Sequence, residues 1–227
     1  MIMVKTQGTI VTDAVKSKGN NRRSKIAGLL LIASPVLWLV GAVVFMPQIG
    51  EFYGEGDSLT KLAALTGQQA AWTLQSLLFF AGTLGAMIGL ALLSVILRQT
   101  RATSLARLGM VGIVAVAAVY TFILFLRLTA PTDGELEAVE GSSLMLAAHF
   151  GWLGIIGIGL TLITVTVYGV ALFLTGRAKM TGGLVAVLST LALVAVLIGG
   201  PLPPVIVYPV AAILGVRLLF GDSPSMR

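Results

Sequence analysis

Residues able to do chemistry in this chain gather around one stretch, Arg127 to Tyr168, which holds an acidic loop and the chain's single histidine. Arg127 offers a guanidinium that can hold an anion or a polar solute. Tyr120 lies seven residues earlier, on the same face if the segment is helical. His149 has Trp152 at i+3 and Met145 at i−4, so a helix brings these three to one side. Gln68, Gln69 and Gln75 stand near the start of the second apolar segment. A cavity lined by Arg127, His149, Gln75, Trp152 and Tyr120 would suit a small anionic or polar ligand. Each of these residues also has a plainer reading. Arg127 can snorkel to a membrane interface or pair with a loop carboxylate such as Glu135. His149 can be a hydrogen-bonded interior or interfacial histidine, and Trp152 a belt or core residue.

Other chemistries find less support. The apolar segments contain no Asp or Glu, which disfavours a carboxylate relay, and no central Lys for a Schiff base. There is no HExxH motif and no paired acidic site, so the expected metal ligand set is none. A bis-histidine haem would need a second subunit, because His149 has no histidine partner in the chain. The cofactor is therefore unknown. The glycine-rich run Gly151–Gly159 follows no strand and lies within an apolar segment. It is read as a helix contact, not a phosphate cradle. Thr161, Thr164 and Tyr168 form a neighbouring stripe able to hydrogen-bond across helices. Cysteine is absent, so disulfides and thiol catalysis are excluded.

The elements that must position these residues are membrane helices. The chain is 57% hydrophobic and 11% charged over 227 residues, with mean hydropathy +1.00. A soluble domain averages about 25% charged residues, and this chain lacks the material for a polar shell. Its apolar runs reach about 20 residues, enough to span a hydrocarbon core of about 30 Å. They are continuous, not alternating, which selects helices over a barrel. The expectation is an all-α polytopic bundle of six transmembrane helices near 25–45, 70–97, 105–127, 142–175, 182–200 and 204–220, forming a domain over 25–220. A polar tail occupies 1–24 and a short one 221–227. The fourth segment, about 50 Å long as one helix, must tilt, project or break. A short interfacial helix is expected over Ser58–Leu65. Pro47 is expected to stop the first helix. Gly82, Gly85 and Gly89, with Gly151 and Gly154, read as packing positions, where small residues let helices approach.

The net charge is +6. In a soluble protein that would raise nucleic acid as a partner, but here the cations sit at the segment ends, where membrane orientation accounts for them. Placing both termini in the cytoplasm leaves only Lys61 and Arg127 among the basic residues outside. Glu51, Glu55, Asp57, Asp133, Glu135, Glu137 and Glu140 then also fall outside. The opening RRSKIAGLLLIASPVLWLVGAVV, with six crossings in about 220 residues, resembles small bacterial integral membrane proteins grouped as a domain of unknown function. The resemblance implies a multi-pass bacterial inner-membrane address and carries no activity.

Three functional expectations follow. The first is a non-catalytic accessory or assembly component, which leans away from an enzyme. Its partners would be the lipid bilayer and a membrane protein or a second copy, with no nucleic acid. The second is a small-solute transporter or sensor with an extracytoplasmic-side polar pocket. The third is a haem- or quinone-associated membrane subunit.

Overall fold

The structure, a computed structural model, describes residues 5–54, 58–65, 67–129, 152–176, 178–199 and 207–220. Among them every regular element is helical. Helix α1 runs Lys5–Ile49 and is followed by a 3-10 turn, Gly50–Tyr53. Then come α2 (Ser58–Ala63), α3 (Gln69–Leu97), α4 (Thr103–Leu128), α5 (Trp152–Thr175), α6 (Lys179–Gly199) and α7 (Val207–Phe220). Five helices, α1 and α3–α6, are long and apolar enough to cross a membrane. At 14 residues, α7 is about 21 Å long, less than a hydrocarbon thickness of about 30 Å.

Two boundaries differ from the sequence expectation. The polar segment before residue 25 is helical from Lys5 and continuous with the first apolar run. Pro47 lies inside α1, which ends two residues later at Ile49 before tightening into the 3-10 turn. A proline so near a helix end removes a single donor and disturbs only the final turn. The first ten residues of the expected fourth segment, with His149 and Gly151, lie outside the described residues. The short helix expected over Ser58–Leu65 forms as α2, which ends two residues earlier at Ala63.

The long helices close into a ring. Each of α3 to α7 packs on the previous long helix in the chain, and α7 returns to pack on α1. On α1 the buried positions Ala27, Leu31, Ser34, Trp38 and Gly41 recur at alternating spacings of four and three, the seam of two near-antiparallel helices. Glycines make the close contacts. A side chain at Gly82 would meet the Trp38 ring at 2.7 Å, and one at Gly89 would meet Leu31 at 2.8 Å. Gly28 and Gly215 face each other where α7 meets α1, and Gly169 and Gly182 where α5 meets α6. Lipid offers helices no hydrophobic drive to associate, so this close van der Waals approach must supply the cohesion.

Outward-facing positions are large and apolar, including Leu29, Val43, Val111, Val114, Leu191 and Ile198. That is the surface expected of rods solvated by acyl chains. Together with the five span-length helices it identifies a multi-pass helical bundle suited to a lipid bilayer.

Candidate functional site

Arg127 lies in the last turn of α4 and is 3% exposed. A bare guanidinium at such a place would be costly, and the sequence of α3 supplies what it needs. Trp72, Gln75, Ser76 and Phe79 recur at i, i+3, i+4 and i+7, so one face of α3 presents all four to α4. Arg127 Nε donates to Ser76 Oγ at 2.7 Å, and Nη2 donates to Gln75 Oε1 at 2.8 Å. The guanidinium carbon lies 3.8 Å from the centre of the Trp72 ring and 5.4 Å from that of Phe79. These are cation–π distances, worth about 2 kcal/mol where water is excluded.

The partners are themselves fixed. Ser76 Oγ donates to the Trp72 carbonyl at 2.6 Å, and Trp72 Nε1 donates to the Arg127 carbonyl at 2.6 Å. The hydroxyl of Tyr53, in the turn after α1, donates to Gln75 Oε1 at 2.7 Å and accepts from Arg127 Nη1 at 3.4 Å. Gln75 Nε2 donates to the Gly41 carbonyl of α1 at 3.2 Å. One network therefore ties α1, its following turn, α3 and α4. Around it Ile49, Phe52, Leu65, Trp72, Leu126 and Leu153 form an apolar cluster. The arrangement keeps a fixed positive charge in a dry setting, where its field is strong.

A second polar group lies deeper. Tyr208 and Thr83 share a hydrogen bond of 2.7 Å, and Trp38 Nε1 donates to Thr83 Oγ1 at 3.3 Å. Phe79, Trp38 and Tyr208 stack in sequence, with centroid separations of 4.0 Å and 5.1 Å. Tyr120 is buried here, beside Thr161 and Tyr208.

Of the residues singled out from sequence, Arg127 and Gln75 thus come together. Tyr120 shares the helix face of Arg127 but belongs to the deeper group, because seven residues of helix separate them by about 10 Å. Trp152 is 56% exposed, and among the described residues no contact joins it to Arg127. Gly82, Gly85 and Gly89 all pack against α1, with Gly85 facing the Ser34 hydroxyl, and Gly154 is buried in α5. The threonine stripe of α5 reaches α4 at Thr161, which lies beside the Tyr120 hydroxyl, while its own hydroxyl protons go to carbonyls of α5. Thr161 donates to the Gly157 carbonyl and Thr164 to that of Leu160, each one turn back on the same helix. A hydroxyl in lipid takes the nearest carbonyl. Tyr168 is fully buried against Gly109, and among the described residues its hydroxyl makes no close hydrogen bond, with Ser94 nearby.

Sequence reasoning missed Trp72, Ser76 and Tyr53 as partners of Arg127, and Thr83 and Tyr208 as a pair. The stripe Trp72, Gln75, Ser76, Phe79, Thr83 was a usable signal, since polar groups rarely repeat along one face of a membrane helix without facing one another. No protein family model, no curated protein and no solved structure matches this chain.

Proposed function

We propose that this chain is a six-crossing integral membrane protein, with both ends of its crossing domain in the cytoplasm of a bacterial cell and the bundle in the inner membrane. It acts as a non-catalytic accessory or assembly component through helix contacts. One observation carries the reading: the cation with the greatest capacity for chemistry, Arg127, is committed to Tyr53, Gln75, Ser76 and Trp72 as an internal brace. A sixth crossing is supported by the packing of α7 between α6 and α1, and by its junction of Gly28 with Gly215. The test is purification in mild detergent. A stoichiometric membrane-protein partner or a defined oligomer of the chain is expected. A strictly monomeric particle carrying a bound solute would refute this assignment.

A second reading, a small-solute transporter or sensor, draws on one feature. The Tyr53 hydroxyl lies 3.4 Å from Arg127 Nη1, long for a hydrogen bond, on a half-buried residue. A carboxylate or phosphate oxygen entering there would take over that link, with Gln75 beside it and His149, Trp152 and Tyr120 as further candidate contacts. Unchanged solute binding or flux in both Arg127→Ala and His149→Ala would eliminate this reading.

A further inference from the structure

At the end of the bundle where α1 enters it, two hydrogen bonds lash three elements together. Asn20 Nδ2 donates to Gln99 Oε1 at 3.1 Å, joining α1 to the α3–α4 turn. Ser24 Oγ donates to the Leu218 carbonyl at 3.1 Å, joining α1 to the end of α7. The residues flanking these links are Arg22 and Arg23 on α1, Arg98 and Arg101 on the turn, and Arg217 on α7. All five are exposed. Among the described residues none of them makes an ion pair.

We propose that this junction is a docking surface for the headgroups of acidic phospholipids. Three features converge on that chemistry. First, five of the cations at the junction are arginines, with Lys25 exposed beside Ser24 as a sixth. A guanidinium fork binds two phosphate oxygens at once, and an ammonium does not. Second, the patch stands just before the apolar run of α1, which starts at Ile26. Headgroup phosphates of one leaflet lie at that level, whichever leaflet it is. Third, large apolar side chains start beside the arginines. Ile26 is 40% exposed, Val95 37% and Phe220 81%. A ligand with a phosphodiester and acyl tails meets both surfaces, whereas a free phosphate or a nucleic acid uses only the first. The Asn20–Gln99 link fixes the distance between the α1 pair and the turn pair. The site is therefore held open for a ligand instead of being assembled by it. This inference requires a membrane-embedded bundle and no particular role for it.

The full chain is reconstituted in nanodiscs of mixed phosphatidylglycerol and phosphatidylcholine, released into the gas phase, and its retained lipids are counted by mass spectrometry. Selective retention of phosphatidylglycerol is expected. The paired variants Arg22→Gln/Arg23→Gln and Arg98→Gln/Arg101→Gln should each weaken it by about five-fold per arginine removed. Lys179→Gln, at the α5–α6 turn and outside the patch, should leave it unchanged. Equal retention of both lipids by the unaltered chain would overturn the proposal. So would a loss in Lys179→Gln as large as in the arginine pairs, since that marks a general charge effect. If a paired variant does not fold, salt titration of the unaltered chain decides. Retention must fall as salt rises, and salt-independent retention counts against the site.

Discussion

Among the described residues, Arg127 meets the neutral dipoles of Ser76, Gln75 and Tyr53 and the aromatic faces of Trp72 and Phe79. Ser76, Gln75 and Tyr53 were chosen for geometry, not charge: each supplies an oxygen along a direction in which the planar guanidinium points. Arg127→Ala should therefore destabilise the protein by about 2–4 kcal/mol, because it strands Gln75 and Ser76 and removes the stack on Trp72. Arg127→Lys should recover little of this, since an ammonium keeps the charge without the fork. Thermal unfolding in detergent measures both, and a full rescue by lysine would show that charge alone matters. Tyr168 makes the opposite case. Among the described residues its buried hydroxyl makes no close hydrogen bond, so Tyr168→Phe should raise stability by up to about 1 kcal/mol in the same assay. A clear loss would reveal a bond to that hydroxyl. Arg127 and Gln75 were readable in the sequence as rare polar groups near one end of apolar segments. Tyr53 was not, because its position depends on how the chain turns after α1.

The helices depend on small residues at defined depths. The contact of α1 with α3 leaves no room at Gly82 or Gly89, whereas Gly199, at the end of α6, has no neighbour within 4 Å among the described residues. Gly82→Leu should cost about 1–3 kcal/mol through overpacking against Trp38, with Gly199→Leu nearly neutral as its control. Melting curves of the two variants would show the difference, and equal curves would argue against the α1–α3 register. The glycine triplet on α3 was legible as a packing face, but its partner was not. Spacing reports that a face is small and not which neighbour comes to it. The continuation of α1 back to Lys5 was also hidden, since a polar stretch rich in Lys, Asn and Gly has weak helix propensity of its own. It adjoins a membrane helix that has already overcome the cost of nucleation.

At the scale of the whole molecule, composition already named the solvent, because a chain with so few charged residues has no means of facing water on all sides. The order of neighbours was beyond the sequence. Alternating charge at the segment ends fixes only whether a helix runs up or down. The closing of α7 onto α1 rests on shape, through Gly28 and Gly215. The absence of cysteine makes orientation simple to test. Single cysteines at Lys61 and at Arg101 should react with an impermeant maleimide from opposite sides of intact cells or vesicles. Labelling from one side would end the up–down order. The closure also has a consequence in time. The ribosome delivers α1 first and α7 last, so the first helix waits in the membrane with its Gly28 face unfilled while the other four arrive. Its mate cannot come until α7 has been made. A nascent chain arrested before Val207 should therefore expose that face to crosslinking by membrane chaperones, and the finished chain should not.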